Sequence, residues 1–457
     1  MNVLLLSTYE LGHQPFNLAS PAAHLLNAGH RVECLDLAVE NFNEEKIRQA
    51  GFIGISTPMH TALRLGLQAA RRVRAINPKT HLNFYGLYAG LNADYLLRHF
   101  ADSVIGGEYE QALTTLVHAT AAGERKMIAG VEQTFARGGT EFPRQKFLRP
   151  ARQLLPPLSE YAALAIAGEH RLAGYVEASR GCAHTCRHCP ITPVYAGRVR
   201  IVQPEIVLAD IAQLVDMGAR HITFGDPDFL NGIKHSQRLA QEMHAAWPEL
   251  TLDFTAKIEH LLEHRVLLPE FARSGCIFIM SAVELLNDRV LKVLQKGHTR
   301  ADVEAALQIT QQAGIALRPS LMPFTPWTTP QDLLDLVDFV AEKEIVAHVD
   351  PVQYSIRLLL PPGSPLLALP ETQPHLREFD AEKFTFLWTH PDPGMDHLQK
   401  EIAARAEMAA QSQEDAVASF VAIHDLICRA AAPPSRKKFL PPLPALAPPR
   451  LTEHWFC

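Results

Sequence analysis

The sequence contains few cysteines, no strong excess of charge and no long apolar run. Its 457 residues include seven cysteines at irregular spacing, an odd number that argues against a disulfide framework. The net charge is −6 and no basic run exceeds three residues, which disfavours nucleic acid or an anionic membrane as a partner. No stretch approaches transmembrane length, and the amino terminus lacks the features of a signal peptide. We therefore expect a cytoplasmic protein in a reducing compartment.

Three of the seven cysteines lie within eight consecutive positions. Cys182, Cys186 and Cys189 have the spacing C-x3-C-x2-C, on a loop that follows a short buried strand. Three thiolates can hold a metal or an iron–sulfur cluster, and a four-iron cubane would keep one iron free for a small ligand. A structural zinc ion is the alternative, with His184 or His188 as fourth ligand, but no second distant ligand pair is found. The strand-end position favours a catalytic cluster.

The stretch from residue 179 to residue 200 resembles the cluster loop of the radical S-adenosylmethionine (SAM) enzymes. In that superfamily three cysteines hold a [4Fe–4S] cluster, whose free iron chelates SAM, and reductive cleavage of SAM gives a 5′-deoxyadenosyl radical. The resemblance implies that Cys182, Cys186 and Cys189 are the cluster ligands and that SAM is a cofactor. It also implies an electron donor such as flavodoxin or ferredoxin. His188 stands where the family usually has an aromatic residue, and its flat ring can also stack on adenine.

Residues 1–125 alternate between strand and helix patterns, which predicts a Rossmann-like, doubly wound parallel sheet in an α/β fold. Strands are predicted at 3–6, 31–36, 52–56, 81–85 and 103–105. Ligands on such sheets bind at the carboxyl ends of the strands.

This first domain resembles the cobalamin-binding domain that precedes many radical SAM domains, with landmarks at residues 54–57 and 106–110. The resemblance implies the following cobalamin-binding residues: Ser56, Thr57, Gly86, Gly106, Gly107 and Glu108. The D-x-H-x-x-G motif that supplies a cobalt-binding histidine is absent. The usual Gly-Gly after the fourth strand is Gly86-Leu87, and a leucine would crowd a channel that needs bare backbone. The alternative is a domain without its cofactor that serves as a cap.

Four further segments follow along the chain. Residues 126–170 are predicted to be a connector, and residues 171–375 a partial (β/α)6 TIM barrel that is open on one side for substrate. The predicted barrel strands are at 174–179, 220–224, 251–256, 277–281, 316–321 and 348–354. Residues 376–432 are predicted to be a helical region and residues 433–457 an extended proline-rich tail.

The turn Gly225–Asp228 resembles the Gly-Gly-Glu-Pro turn of the radical SAM family, which binds the methionyl amine of SAM. The resemblance implies SAM contacts from Gly225, Asp226, Pro227 and Asp228, with Asp226 the first candidate for the amine. A carboxylate is a sensible partner for an ammonium group. The alternative is an ordinary turn built from aspartate and proline.

Three charged residues at predicted strand ends are further SAM candidates. Glu284 resembles the family's acid that approaches the ribose or amine of SAM. Lys257 and Arg318 follow or end the third and fifth barrel strands and would meet the SAM carboxylate. The alternative for both cations is an ordinary charge at the rim of the barrel.

The chain ends in Trp-Phe-Cys after a stretch with seven prolines between residues 433 and 449. This ending resembles a radical SAM family whose tail continues as Cys-Sec-Ala-Glu-Pro or Cys-Cys-Ala-Glu-Pro. On this resemblance we expect the native product to continue through a UGA codon, and a thiol or selenol tail containing Cys457 to reach the barrel mouth. The alternative is a disordered tail with an incidental cysteine.

Three functions are compatible with the sequence. The first is a cobalamin-dependent radical enzyme that transfers a methyl group or rearranges carbon. The second is a cobalamin-independent radical SAM enzyme with a reactive tail, and the third is a cluster protein that acts as a redox sensor or scaffold. A methylthiotransferase is disfavoured because it needs an upstream cysteine set, where only Cys34 is present. The open barrel would admit either a small molecule or a peptide as substrate.

Overall fold

The N-terminal domain is a five-stranded parallel sheet covered by helices. The computed structural model describes residues 1–123, 145–431 and 447–452. The strands are β1 Asn2–Ser7, β2 Arg31–Asp36, β3 Phe52–Ser56, β4 His81–Tyr85 and β5 Ser103–Ile105, in the order β2-β1-β3-β4-β5. The helices are α1 Phe16–Asn27, α2 Glu44–Gln49, α3 His60–Ile76, α4 Leu87–Leu91, α5 Ala93–His99 and α6 Glu110–Ala121. The strands are almost wholly buried, as expected for a parallel sheet with helices on both faces. The predicted Rossmann-like domain is confirmed.

The second domain is a curled seven-stranded sheet. Its strands are β6 Ala163–Ile166, β7 Glu169–Val176, β10 His221–Phe224, β11 Thr251–Thr255, β12 Cys276–Glu284, β13 Ala316–Leu321 and β16 Arg450–Leu451. Two hairpins lie outside it, β8 Ser179–Gly181 with β9 Val199–Ile201, and β14 Leu376–Asp380 with β15 Thr385–Trp388. The sheet order is β13-β12-β11-β10-β7-β6-β16, and the five strands from β13 to β7 run parallel. This is a partial β/α barrel, as predicted.

Helices surround the barrel sheet and form the C-terminal region. They are α7 Thr192–Tyr195, α8 Pro204–Asp216, α9 Ile233–Ala246, α10 Ile258–Glu263, α11 Leu268–Arg273, α12 Asp288–Leu294, α13 Arg300–Gln312, α14 Pro330–Glu342, α15 Pro393–Gln411 and α16 Ala416–Ala431. The amino ends of α13 and α14 are fixed by capping boxes from Thr299 with Asp302 and from Thr329 with Asp332. Within the described residues, no helix is both long and apolar enough to cross a membrane.

Residues 348–354 were predicted to form the sixth barrel strand, and this prediction is wrong. The chain there forms two 3-10 turns, Val346–His348 and Pro351–Ser355. Pro351 has no N–H to give to a sheet. Side chains take over the bonding to β13, because His348 Nδ1 lies 2.8 Å from Leu317 O and Leu321 N donates to Gln353 Oε1 at 2.9 Å.

The described carboxyl-terminal residues 447–452 bridge the two edges of the curled sheet. On one side β16 pairs antiparallel with β6, and Thr452 N donates to Ala163 O at 2.8 Å. On the other side Pro449 O accepts from Arg318 Nη1 of β13 at 3.5 Å. The side of the barrel predicted to be open is therefore spanned, at this level, by the chain's own carboxyl-terminal segment.

Candidate functional site: the cluster loop and the cleft above the barrel

A glycine fixes the start of the cluster loop, which connects β8 to β9 beyond the carboxyl end of β7. Gly181 has φ +76, and a Cβ there would lie 2.4 Å from Arg198 O. Only glycine fits this backbone without a shift. The loop is anchored on the barrel by Arg187, whose N–H donates to Leu294 O at 2.9 Å.

The three predicted cluster ligands lie close together on this loop. Thr192 Oγ1 donates to Cys186 O at 2.8 Å and Cys189 N donates to the same carbonyl at 3.2 Å, which turns the loop tightly. Burial and, to a lesser degree, the charges of Cys186 and Cys182 raise the pKa of the Cys189 thiol to about 12. The three cysteines thus lie within eight residues of one tightly turned loop. A cation is needed to hold three thiolates there together.

Each of the two nearby histidines has a carboxylate beside its Nε2. His188 Nε2 lies 3.1 Å from Glu284 Oε1. His184 instead approaches Asp228, with 3.5 Å from Nε2 to Oδ2.

A buried ion pair lies beside the cysteines. Lys296 Nζ is 3.0 Å from Glu284 Oε1, and both side chains are almost fully buried. Burial alone would raise the pKa of Glu284, but Lys296 and His188 lower it well below its usual range. Burial alone would lower the pKa of Lys296, but the charges of Glu284 and of Cys186 raise it. Lys296 was not predicted as a site residue, although it follows Glu284 closely in the sequence.

In the turn after β10, Gly225 and Asp226 contact neighbouring groups of the protein itself. A Cβ on Gly225 would lie 1.9 Å from Tyr175 Cζ, so only glycine leaves room for the Tyr175 ring. Asp226 faces the backbone before the cluster loop and accepts from Ala178 N at 3.0 Å and from the Ser179 hydroxyl. Burial raises the pKa of Asp226 to about 7. Pro227 lines the cleft described below.

Asp228, Lys257 and Arg318 are placed differently from one another. Asp228 is fully buried and accepts from Lys257 N at 3.3 Å. Lys257 Nζ pairs with Glu259 Oε2 at 2.9 Å. Arg318 lies in the middle of β13, where Nη2 pairs with Asp350 Oδ2 at 3.1 Å. The structure therefore brings Asp228 and Lys257 together and leaves Arg318 apart from them.

A cleft lies between the carboxyl edges of the two sheets. Its lining comes from both domains: Glu10, Leu11, His13, Asn17, Pro58, Met59, Leu87, Gly107, Tyr109, Tyr175, Glu177, Ser179, Arg180, Gly181, Ile191, Tyr195, Gly225 and Pro227. Burial raises the pKa of Glu10 to about 8 and also raises the pKa of Glu177. Sequence reasoning missed both acids, because neither belongs to a recognisable motif.

The candidate cobalamin residues lie at the N-terminal edge of this cleft. Ser56 and Thr57 are buried, and Thr57 O accepts from Tyr88 N of α4 at 3.1 Å. A Cβ on Gly86 would lie 3.2 Å from the Thr57 carbonyl. Helix α4 therefore lies directly over the end of β3.

The end of β5 is also covered. A Cβ on Gly90 would lie 2.8 Å from Gly106 Cα, so α4 and this loop touch through bare backbone. Gly107 lines the cleft. Glu108 contacts the cluster loop, because Tyr195 OH donates to its Oε1 at 2.9 Å.

Comparison with known proteins agrees with this geometry. Residues 176–340 match the model of the radical SAM superfamily. This segment of the chain is similar to the radical SAM domain. The match supports the prediction of an enzyme of the radical SAM class and, with it, the predicted [4Fe–4S] cluster and SAM.

The curated relatives match only part of this chain. The ribosomal protein uS12 methylthiotransferase RimO of Porphyromonas gingivalis is 26% identical over 182 residues, which cover 37% of this chain and 41% of that protein. The tRNA-2-methylthio-N(6)-dimethylallyladenosine synthase of Moorella thermoacetica is 26% identical over 184 residues, covering 36% and 39%. The chain thus spans about two fifths of the length of these curated relatives.

Two solved structures share the fold of both domains. One is the radical SAM methyltransferase TsrM from Kitasatospora setae with tryptophan and a SAM analogue bound, with a TM-score of 0.65, 17% identity and coverage of 92% of this chain and 88% of that chain. The other is the cobalamin-dependent radical SAM enzyme OxsB with aqua-cobalamin and SAM bound, with a TM-score of 0.65, 15% identity and coverage of 90% and 67%. At these identities the likeness concerns the fold alone.

Proposed function

We propose that this protein is a radical SAM enzyme that carries out its chemistry in the cleft between the N-terminal sheet and the barrel. One observation carries the proposal: Gly181, Ile191 and Tyr195 of the cluster loop line the same cleft as Glu10 and Leu87 of the N-terminal domain. The substrate, a small molecule or a peptide, would enter this cleft.

The residues around the loop fit the cluster and SAM. Cys182, Cys186 and Cys189 would hold the cluster, which when bound supplies the electron for cleavage of SAM to a 5′-deoxyadenosyl radical. Lys296 and Glu284 place a cation and an anion beside the thiols. These two charges suit the carboxylate and the ammonium of an amino acid. The cleft walls would exclude water, and the electron donor would be a flavodoxin or ferredoxin in a reducing cytoplasm.

We further propose cobalamin as a second cofactor in the cleft. The cleft borders the carboxyl edge of a doubly wound sheet, where such folds bind ligands. The fold also matches structures of TsrM and OxsB that hold cobalamin. The residues fit one side of cobalamin only. The cleft can receive one face of the corrin ring. The contact of Gly90 with Gly106 closes the loops that would receive the nucleotide tail of cobalamin. Cobalamin binding would therefore require α4 to move.

The second candidate function is a radical SAM enzyme without cobalamin, in which the N-terminal domain caps the barrel. The specific observation in its favour is the same contact of Gly90 with Gly106, together with Leu87 at the cleft wall. Both candidates share the radical chemistry and differ only in the second cofactor.

Anaerobic reconstitution separates these functions. The protein is loaded with iron and sulfide, reduced with dithionite, and assayed for 5′-deoxyadenosine from SAM. We expect nucleoside from the wild type and none from the triple variant C182A/C186A/C189A. No nucleoside from a fully loaded wild-type cluster, with and without cobalamin, would refute both radical functions and favour the sensor or scaffold.

Cobalamin binding is tested by gel filtration after incubation with hydroxocobalamin. Retention of about one cobalamin per chain supports the first candidate, and no retention supports the second. Leu87→Gly restores the usual Gly-Gly and should raise retention if the leucine crowds the channel. Leu91→Gly is the matched control, because it places the same substitution in the same helix.

We also propose a thiol role for the chain's carboxyl terminus. Cys457 lies outside the described residues, and the support comes from the strand before it. Because β16 is antiparallel to β6 and β6 is antiparallel to β7, β16 runs in the direction of β7, toward the cluster loop. The five residues after Thr452 extend at most about 17 Å. Intact mass of the native protein tests the predicted continuation past Cys457 with selenocysteine.

A further inference from the structure

Three side chains from separate segments meet beside the cluster loop. His184 lies between the first two cysteines, Asp228 follows β10, and His260 lies on α10. One ligand atom from each lies within 4.8 Å of the other two. Asp228 Oδ2 is 2.9 Å from His260 Nδ1 and 3.5 Å from His184 Nε2. These separations match those of adjacent ligands around one small cation, whose bonds to nitrogen and oxygen are about 2.0–2.2 Å.

The two histidines face the same oxygen of a buried carboxylate, Asp228 Oδ2. Asp228 is fully buried, and the side chains of His184 and His260 are exposed by only 17% and 13%. His260 Nδ1 forms an ion pair with Asp228 and His184 Nε2 approaches the same oxygen, but neither contact is aligned as a good hydrogen bond. Burial alone would raise the pKa of Asp228, but the two histidines lower it. With the three ligand atoms within 4.8 Å of one another, all three are close enough to share one ion.

A second layer of contacts orients one of the histidines. The other ring nitrogen of His184, Nδ1, lies 3.7 Å from Glu259 Oε2. Glu259 is held in turn by Lys257 Nζ at 2.9 Å. Gly297 leaves room for this carboxylate, because a Cβ there would lie 2.5 Å from Oε2. A carboxylate behind the outer nitrogen of a metal-bound histidine is a common arrangement.

We propose that His184, Asp228 and His260 bind one divalent first-row transition-metal ion, with Zn²⁺ as the probe of choice. Two imidazoles and one carboxylate form the ligand set of catalytic zinc sites and of mononuclear iron sites, with positions left for water or substrate. The ion neutralises the buried Asp228. It is a site separate from the three cysteines.

The ion would tie the cluster loop to the barrel. His184 belongs to the loop, whereas Asp228 follows β10 and His260 lies on α10, the helix after β11. A shared ion fixes these three segments in one geometry. Asp228, a candidate SAM residue by sequence, acts here as a metal ligand, and His184 is a positioning residue for the loop.

The first test measures zinc and iron in protein with its reconstituted cluster. The holoprotein is dialysed against Zn²⁺, desalted and analysed by inductively coupled plasma mass spectrometry. We expect about one zinc per chain in the wild type and its loss in His260→Gln, with the iron content unchanged. His264→Gln, four residues further along, is the matched control and should keep zinc. Wild-type zinc retention in His260→Gln, or no zinc in the wild type, would overturn the proposal.

The second test does not depend on removing a ligand. Glu259→Gln leaves all three ligands in place and should weaken zinc affinity about 10–100-fold. Zinc K-edge X-ray absorption of the wild-type holoprotein should show two imidazole ligands and oxygen. Sulfur in the first shell would assign the zinc to the cysteines and refute the proposed site.

Discussion

Arg180 and Glu110 form a buried ion pair across the domain boundary, with 2.7 Å from Nη2 to Oε1. A second bond joins Nη1 to Oε2 at 3.0 Å, so the pair is bidentate. Burial alone would raise the pKa of Glu110, but Arg180 lowers it to about 2. Arg180 belongs to β8, two residues before Cys182, and Glu110 begins α6. The position of the cluster loop therefore depends on the N-terminal domain.

We predict that Arg180→Met destabilises the protein by about 3–5 kcal/mol, because it leaves buried carboxylates unpaired. Arg180 contacts Glu110 through Nη2 and Glu177 through Nε, each at 2.7 Å. Both carboxylates would lose this cationic partner. Arg171→Met removes the exposed pair of Arg171 with Glu169 and should cost at most about 1 kcal/mol. Denaturant unfolding of both variants makes the comparison. Equal costs for the two variants would contradict a buried, domain-joining pair.

A pH-dependent prediction concerns Glu10 at the cleft wall. Burial raises its pKa from 4.5 to about 8, so between these values the folded protein holds a proton that the unfolded chain has lost. Stability from this group is therefore lost as pH rises from about 4.5 to 8, with a slope of at most about 1.4 kcal/mol per pH unit.

Glu10→Gln mimics the protonated carboxyl and tests this sign. We expect the stability of the variant relative to the wild type to increase steadily between pH 5 and about 8. Glu249→Gln changes an exposed glutamate and should give a difference that does not vary with pH. A flat difference for Glu10→Gln, measured by urea unfolding at several pH values, would show that Glu10 is ionised throughout.

Gly225 gives a prediction about the cleft rather than about the cluster. In Gly225→Ala the new methyl group would meet Tyr175 Cζ at 1.9 Å and push the ring toward the cleft that it lines. We expect a stability loss of about 1–3 kcal/mol and a larger loss of nucleoside formation. Gly51→Ala is the control, because its nearest contact would be an ordinary 3.5 Å to Met1. Unchanged nucleoside formation in Gly225→Ala would show that the ring has another place to go.

The sequence was most informative where one local segment carries the signal. Each of the five N-terminal strands lies within one residue of its prediction, because buried apolar runs bounded by turns define parallel strands. The three cysteines are likewise neighbours in the sequence, so their spacing alone indicates a shared ligand. The predicted acid Glu284 was also placed beside the cysteines, with His188 as its contact.

The predictions were weaker where distant segments combine. His184, Asp228 and His260 come from three separate loops or helices, and no spacing in the sequence joins them. Arg318 was expected to end a strand, yet it lies within β13 and faces Asp350, because register depends on the neighbouring strand. The apolar pattern at 348–354 is typical of a strand. In the structure these residues form turns, and the side chains of His348 and Gln353 bond to the backbone of β13.

The carboxyl-terminal strand gives the last prediction. Thr452 makes two bonds to β6, from its N–H to Ala163 O at 2.8 Å and from Ala163 N to its Oγ1 at 2.9 Å. Thr452→Pro removes both, since proline has no N–H and no hydroxyl. We expect hydrogen exchange of the peptide covering Ala163–Ile166 to accelerate, as β16 leaves the edge of the sheet.

Thr452→Ser keeps the N–H and the hydroxyl and is the matched control for Thr452→Pro. Its exchange at Ala163–Ile166 should equal that of the wild type. The Arg318 guanidinium, which contacts Pro449 O, would lose this contact in the proline variant and keep Asp350. Because Asp350 still pairs with Arg318, the opposite edge at β13 should remain protected. Equal exchange of β6 in the proline and serine variants would show that β16 does not hold this edge in solution, and that the bridge between β6 and β13 is not a stable part of the barrel.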